Sequence, residues 1–390
     1  MRILFSAVPA HGHLLPLAPL MEAAVAGGHT VGLLGGPGVR PLVAGELDPG
    51  VRLLGAGAGV PEFLAEAAAR TGGDPTRPDP AMLGEIFGAA WLSLDGGQAL
   101  RHARDWAPDL VVAEAFDTVG PLVAAALGIP WHQAGIGPGL APAAAEVIER
   151  AVVPYYRQAG IEPVPASGYL DPCPPALQAP GWAGPAPRLP VRARAHRRPG
   201  REPVALPAFR DPDRPTVLLT LGTVFTEEKT LAALASAVAD AEVNVLATLG
   251  LVLAQPPETT GRGELRYVSF APMDRLLDGA RLVVAAGGSG TVLGALSRGK
   301  PMVLWPQGAD QPVNAALAAA AGVAIVVGSA AEVTAAVTHA LHDDALHTRA
   351  AEVAAEIARA PEPAEVLAVL VDHAQQSRHR GEVPGPVFVR

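Results

Sequence analysis

The sequence has a single cysteine, Cys173, among its 390 residues. One cysteine excludes an internal disulfide and a metal site built from several cysteines, and it fits a reducing compartment. Long apolar runs are also missing, and none approaches the roughly 20 residues that a membrane-spanning helix needs. The first residues, 1–5, are typical of a β-strand rather than of a signal peptide. These features predict a cytoplasmic protein without a membrane span.

Positive charge is scarce in the chain. It has 29 lysines and arginines against 38 acidic residues, a formal net charge of -9 and a pI near 5.7. Proteins that bind nucleic acids usually carry a basic stripe, so this balance argues against nucleic acid as the main partner. The exception is a cluster set among prolines that consists of Arg192, Arg194, Arg197, Arg198 and Arg201. Such a run is typical of a solvated linker.

The first strand-to-helix turn, residues 8–16, lacks the G-x-G-x-x-G pattern of dinucleotide-binding proteins, which disfavours NAD binding there. It carries His11 and His13 instead. Loops at the carboxyl ends of parallel strands face the ligand crevice, and an imidazole there suits a general base. A purely structural role for either histidine stays open. A metal site would need further ligands that the sequence does not identify.

Apolar strands and helical segments alternate in two series, which is typical of parallel sheets covered by helices. The first series covers 2–34 and resumes at 109–133; the second starts at 216. Between them, 181–215 is rich in proline and arginine. The pattern predicts an α/β protein with two Rossmann-like, doubly wound domains. The predicted boundaries are 1–205 for the first domain, 206–376 for the second and 377–390 for a polar tail.

A glycine-rich turn follows the apolar run 282–286 and opens a helical stretch. Its residues are Gly287, Gly288, Ser289, Gly290 and Thr291. Free backbone N–H groups and the positive end of the helix dipole meet in such a turn, which favours a phosphate. Asp310 and Gln311, after the next predicted strand, offer groups that bind hydroxyls, so the pair of features indicates a nucleotide sugar. The alternatives are a turn without a ligand and an Asp310 that caps the next helix.

Four segments together resemble the GT-B glycosyltransferases of family 1, particularly the bacterial antibiotic and macrolide glycosyltransferases. The segments are 8–16, 220–225, 270–277 and 287–314. The resemblance implies that two domains face each other across a cleft. The first would receive an acceptor, often an apolar polyketide, and the second would hold a nucleoside-diphosphate sugar. Transfer would invert the anomeric carbon without a bound metal.

The resemblance places the catalytic histidine in Gly-His-Leu-x-Pro, here residues 12–16. His13 is therefore the expected base, and His11 is expected to shape the turn. In similar enzymes a later strand ends in an acidic residue that orients this histidine, and Glu114 matches that position. Asp117 is the alternative. Glu114 would also suit the N-terminal end of the following helix as a carboxylate that stabilises its dipole.

The resemblance also assigns contacts to the donor. It places Thr223 near the diphosphate and the turn 287–291 around it. Phe270 is expected beside the nucleobase of the donor, although a position in the ordinary hydrophobic core is equally open. Asp310 and Gln311 match the pair that binds hexose hydroxyls.

The chain departs from the family pattern directly before the two glycines of the turn. Similar proteins usually carry a histidine there that donates to the diphosphate, whereas this chain has Ala286, preceded by Ala285. Losing one charge-assisted donor costs about 1.5–3 kcal/mol, so we expect weaker donor binding rather than an inactive protein.

The resulting hypothesis is an inverting, metal-independent glycosyltransferase. It would move a sugar, expected to be a dTDP-linked deoxyhexose, onto a hydrophobic natural-product acceptor. No cofactor is expected besides this co-substrate, and the partners are the two small molecules; a homodimer is left open. The alternatives are an auxiliary homologue that binds ligand without transfer and, in another enzyme class, a nucleotide-sugar epimerase.

Overall fold

The computed structural model describes residues 1–75, 78–223 and 227–380. Residues 224 and 225, which belong to one of the segments that carry the resemblance, lie outside the described residues. The same holds for 381–390 of the predicted tail.

In the described part of residues 1–190, seven parallel strands form one sheet in the order β3-β2-β1-β4-β5-β6-β7. The strands are β1 Arg2–Ser6, β2 Thr30–Gly35, β3 Val51–Gly55, β4 Leu110–Glu114, β5 Trp131–Ala134, β6 Tyr169–Asp171 and β7 Arg188–Pro190. Strands β1 and β4 are neighbours in the middle, where Phe5 pairs with Val112. Both strands are apolar runs because helices cover both faces of the sheet.

Helices pack on both sides of this first sheet. The α-helices are α1 His11–Leu14, α2 Ala18–Ala26, α3 Arg40–Glu46, α4 Val60–Thr71, α5 Pro80–Gly84, α6 Ala90–Trp106, α7 Val119–Leu127 and α8 Pro142–Ala159. Short 3-10 helices span Leu15–Leu17, Pro37–Val39 and Pro175–Leu177, and a π-helical turn, Glu85–Ala89, joins α5 to α6.

The described residues after 215 form a second parallel sheet of six strands in the order β10-β9-β8-β11-β12-β13. The strands are β8 Thr216–Thr220, β9 Asn244–Thr248, β10 Glu264–Val268, β11 Ala280–Ala285, β12 Met302–Leu304 and β13 Ala324–Val326. The helices are α9 Glu228–Ala239, α10 Met273–Leu276, α11 Ser289–Leu296, α12 Gln311–Ala320, α13 Ala330–His342, α14 Asp344–Arg359 and α15 Pro363–Arg380. Two doubly wound parallel sheets agree with the prediction.

Helix α15 packs on the first domain, although the predicted boundary assigns most of it to the second. Its buried side chains join the core around β1 and α2; they are Val366, Leu367, Leu370 and Ala374. The helix also continues through residues 377–380, where the prediction placed the start of a polar tail. The apolar face of α15 therefore packs on the first domain rather than on the second.

The five arginines predicted to be a solvated linker are paired with acceptors. Arg192 and Arg194 both contact Glu362, Arg197 contacts Glu22, Arg198 contacts Glu46, and Arg201 donates to the carbonyl of Ala44. The prediction of a simply solvated run was wrong because the partners are distant in sequence. This segment binds the first domain and the start of α15 together.

Leu370→Ala tests the placement of α15. Leu370 is fully buried, so its truncation is expected to lower the free energy of unfolding by about 2–5 kcal/mol. The matched control is the neighbouring Val369→Ala, because Val369 is 48% exposed and a surface change costs about 0.5 kcal/mol or less. Chemical denaturation followed by far-UV circular dichroism measures both. Equal stability of the two variants would contradict the packing.

Candidate functional site

The predicted site residues follow the middle strands of the two sheets. In the first sheet the chain runs from β1 outward through β2 and β3, and β4 starts the other half on the opposite side of β1. In the second sheet β8 and β11 have the same relation. The carboxyl ends of such paired strands border a crevice where α/β proteins bind ligands. The histidine turn follows β1, and the glycine-rich turn follows β11.

His13 and Glu114 are in direct contact. His13 lies in α1, directly after β1, and Glu114 is the last residue of the adjacent β4. Nδ1 of His13 lies 3.0 Å from Oε2 of Glu114, and the carboxylate is fully buried. The other carboxylate oxygen accepts the backbone N–H of Phe116 at 3.0 Å. The carboxylate is thereby fixed, and it holds the imidazole in one orientation.

Asp117, the alternative partner, is used elsewhere. Its carboxylate accepts hydrogen bonds from the indole of Trp91 at 3.1 Å and from the N–H groups of Val119 and Gly120 at 3.0 and 2.9 Å. Asp117 therefore holds the start of α7 rather than His13. Glu114, by contrast, makes no contact with the N–H groups that open α7.

The surroundings of His13 raise its pKa. Burial alone lowers the pKa of an imidazole, but the charge and the hydrogen bond of Glu114 outweigh this effect, with smaller contributions from Asp310 and Asp117. Because a carboxylate only accepts, the Nδ1 of His13 carries the proton of this hydrogen bond. The lone pair of a neutral His13 is then on Nε2, and this nitrogen is the one that can take a proton.

Two phenylalanines that the sequence analysis did not single out surround His13. The ring centroids of Phe116 and Phe87 lie 5.6 and 6.1 Å from that of the imidazole, and 4.9 Å from each other. Phe87 is in the π-helical turn, and its carbonyl accepts a hydrogen bond from Thr118 Oγ1 at 3.0 Å. Single π turns within helices occur often at functional sites. The side of the cleft next to His13 is therefore apolar.

The glycine-rich turn depends on one backbone conformation. Gly287 has a φ of +96°, which side-chain-bearing residues rarely adopt, and α11 begins two residues later at Ser289. The hydroxyl of Ser289 donates to Asp310 Oδ2 at 2.7 Å, and its N–H lies 3.3 Å from the same oxygen. Asn314 donates to that oxygen at 2.7 Å and to the carbonyl of Gly287 at 3.0 Å. The turn, Asp310 and Asn314 thus form one hydrogen-bonded unit.

Asp310 and Gln311 make different contacts. Asp310 is the N-cap residue of α12 by position, but its side chain makes no capping hydrogen bond, so that alternative is wrong. Its carboxylate is exposed and keeps Oδ1 without a partner among the described residues. Gln311 is buried, and its side-chain oxygen Oε1 accepts hydrogen bonds from the backbone N–H groups of Gln307 and Gly308 at 2.8 and 3.2 Å. Their predicted contacts to sugar hydroxyls stay a prediction.

The other predicted donor residues occupy matching places. Thr223 is partly exposed and follows Gly222 at the end of β8. Phe270 is partly exposed after β10 rather than buried in the core, and its ring packs edge-on against His11, with centroids 5.5 Å apart. Ala286 is 2% exposed and belongs to the apolar core of the second domain.

The two halves of the site approach each other closely. A Cβ atom placed on Gly137, in the loop after β5, would lie 2.2 Å from the hydroxyl of Ser289. Only glycine allows this approach between the first domain and the turn of the second. The charge of Asp310 also contributes to the raised pKa of His13, so the two groups are close enough to interact.

In 1–75, 78–223 and 227–380, no group of three or more histidine, cysteine or acidic side chains is arranged to hold a metal ion. Within the same ranges, no helix combines the length and apolar character needed to cross a bilayer.

Comparison with known proteins identifies the family. Two family models match, described as the N-terminal and C-terminal domains of erythromycin biosynthesis protein CIII-like proteins, over residues 97–179 and 228–373. The elloramycin glycosyltransferase ElmGT of Streptomyces olivaceus is 31% identical, over 95% of this chain and 97% of that protein.

Solved structures of glycosyltransferases share the whole fold. SnogD from Streptomyces nogalater is 30% identical with a TM-score of 0.77, over 96% of this chain and 99% of that chain. SsfS6 from Streptomyces sp. SF2575, complexed with thymidine diphosphate, is 28% identical with a TM-score of 0.78, over 95% and 99%.

The comparisons confirm the GT-B fold and the enzyme class predicted from the sequence. The roles of the individual residues stay predictions. The chain belongs to the erythromycin biosynthesis protein CIII-like family of natural-product glycosyltransferases, and it is a glycosyltransferase with two Rossmann-like domains.

Proposed function

We propose that this glycosyltransferase moves a deoxyhexose from a dTDP-linked donor to a hydroxyl of a hydrophobic natural-product acceptor, with inversion and without a metal. The observation that carries the proposal is the contact of His13 with the buried Glu114, across the cleft from the unit formed by Ser289 and Asp310. The thymidine diphosphate bound to the similar SsfS6 supports the choice of nucleotide. The sugar class and the inversion are inferred from the resemblance to antibiotic glycosyltransferases.

The acceptor half of the reaction is a proton transfer to His13. The acceptor hydroxyl gives its proton to Nε2 as its oxygen attacks the anomeric carbon. The new carbon–oxygen bond forms as the bond to the diphosphate breaks, so a single displacement inverts the configuration. The imidazolium that results is stabilised by Glu114. Phe87 and Phe116 provide the apolar surface on which a hydrophobic acceptor would pack.

The donor half of the reaction depends on holding the leaving diphosphate. The first turn of α11 offers the N–H of Gly290 and the positive end of a helix dipole, while the N–H groups of Ser289 and Thr291 already bond to Asp310 and Gly288. Thr223 adds a hydroxyl just after the neighbouring β8, and we expect the exposed Asp310 and the adjacent Gln311 to bind sugar hydroxyls. These contacts stabilise the charge that develops on the nucleotide.

The alanine before the glycine turn affects the strength of donor binding. Ala286 has no donor for the diphosphate, yet the acceptor-side pair of His13 and Glu114 is complete. A protein that only binds ligand gains nothing from a buried carboxylate that orients a base. We therefore expect transfer at a reduced donor affinity.

A direct assay tests this function. Purified protein is given a dTDP-deoxyhexose with and without a polyketide aglycone, and free dTDP and glycosylated product are measured. Release of dTDP that requires the aglycone, with inverted anomeric configuration by NMR and unchanged rate in EDTA, is the expected result. Donor binding without acceptor-dependent release would contradict transfer.

Replacing Glu114 tests the role of its carboxylate beside His13. Glu114→Gln keeps a hydrogen-bond acceptor but removes the charge, and kcat/KM is expected to fall by about 10²–10⁴-fold, the range of a lost general-base contribution. Activity needs neutral His13 and so rises with pH through its pKa. Because Glu114 raises that pKa, the rise should move to lower pH in the variant. The pH dependence of kcat/KM measures both effects.

The control for this change is Asp117→Asn. Asp117 holds α7 and has no hydrogen bond to His13, so this variant should lose stability, with a smaller shift of the pH profile and little loss of rate at its optimum. An unchanged pH profile in Glu114→Gln would remove Glu114 from the proposed mechanism.

Restoring the family's histidine tests the diphosphate turn. Ala286→His adds a donor, and the Kd for dTDP is expected to fall by about 10- to 100-fold. Because Ala286 is buried, overpacking should lower the free energy of unfolding by about 1–3 kcal/mol. Ala286→Leu controls for size without a donor and should give only the second effect. Calorimetry gives the affinities, and equal affinity of both variants would argue against a diphosphate at this turn.

A further inference from the structure

A cluster of charged groups lies beside the site and is not used by the proposed reaction. Glu46, at the end of α3, is buried and accepts Arg198 through two hydrogen bonds, from Nε at 2.7 Å and from Nη2 at 2.6 Å. Nε2 of His196 lies 2.9 Å from the same carboxylate. Burial raises the pKa of a carboxyl group, but these partners outweigh it and lower the pKa of Glu46 to about 2. The guanidinium of Arg198 is therefore held in a fixed orientation.

The same short segment also contacts the second domain. Arg198 Nη2 lies 3.3 Å from the carbonyl oxygen of Phe270, and its guanidinium carbon is 6.0 Å from the centroid of the Phe270 ring. The N–H of Asp274 donates to the carbonyl of His196 at 3.0 Å. Residues 196–198 are thus bound to α3 on one side and to the segment after β10 on the other.

Phe270 is contacted from two directions. Arg198 lies against it from the connecting segment, and His11 packs edge-on against it from the turn that also carries His13. The ring keeps a partly exposed surface. Its position therefore depends on Arg198, and the position of Arg198 depends on Glu46 in the first domain.

We propose that Glu46 and Arg198 are positioning residues for the nucleobase of the donor, which they serve by fixing the ring and the carbonyl of Phe270. The inference rests on the proposed function, because it takes Phe270 as the residue beside the base. Neither residue touches the reacting atoms. Through Arg198, recognition of the nucleobase depends on the carboxylate of Glu46 in the first domain.

A second ion pair of the same segment provides the matched control. Arg197 contacts Glu22 on α2, and it makes no contact with the second domain among the described residues. Both pairs attach the connecting segment to the first domain, but only that of Arg198 continues to Phe270. Arg197→Ala therefore removes the ion pair with Glu22 without disturbing the contact between Arg198 and Phe270.

The experiment uses calorimetry on the full chain to measure how strongly the protein prefers one nucleobase over another. Binding of dTDP and of ADP, which share the diphosphate, is compared in wild type, Arg198→Ala, Arg198→Lys and Arg197→Ala. The two Arg198 variants are expected to weaken dTDP binding by about 3- to 30-fold, the range of a cation–π and hydrogen-bond contact, with ADP little changed. Arg197→Ala should retain the wild-type ratio of the two dissociation constants.

The outcomes separate this inference from the function on which it rests. Wild type that binds neither nucleotide overturns the proposed function. Wild type that binds dTDP and ADP equally, or Arg198 variants that keep the dTDP preference, overturns the positioning role and leaves the function intact. Equal weakening of both nucleotides would show a general effect on domain closure and would also overturn it.

A double-mutant cycle covers the case in which Arg198→Ala does not fold. If Arg198 acts through the ring, Phe270→Leu should weaken dTDP binding, and adding Arg198→Lys to it should weaken binding no further. Additive losses would mean that Arg198 and Phe270 act independently.

Discussion

The arrangement of this enzyme depends on one constraint of parallel sheets, which is that neighbouring strands end at the same edge. Because β1 and β4 are adjacent, a histidine after the first and a carboxylate at the end of the second lie 3.0 Å apart despite a separation of 101 residues. The neighbouring β8 and β11 likewise bring Thr223 and the glycine-rich turn to one edge of the second sheet. Each half of the site thus lies where the strand order of its sheet reverses.

The contacts between the halves are of several kinds. Glycine at 137 permits a close approach of backbone to Ser289, whereas the connecting segment bonds to the first domain through the ion pair of Arg198 and Glu46 and to the second through hydrogen bonds with backbone groups. Apolar packing also joins the domains, because Cys173, Leu177, Ala193 and Ala195 lie in the core of the second domain, and the polar contacts add fixed geometry to it. Such contacts are directional, so they set an orientation more sharply than apolar packing does.

The sequence predicted those features that depend on local pattern. Strand and helix periodicity predicted the two sheets, and the resemblance to GT-B glycosyltransferases matched Glu114, at the end of an apolar strand, to the partner of His13. Features that depend on distant partners were not predictable from one sequence. The arginine cluster resembled a solvated linker because Glu46 and Glu362 are far away in the chain, and Phe87 lies in a π turn that has no periodicity of its own.

The return of α15 to the first domain has a consequence for recombining enzymes of this family. The first domain is built from two separate pieces of chain, the long N-terminal part and the final helix. A hybrid that joins the first domain of one enzyme to the second domain of another at a single crossover would pair a foreign α15 with the core around β1 and α2. Two crossovers, the second between α14 and α15, keep α15 with the core on which it packs.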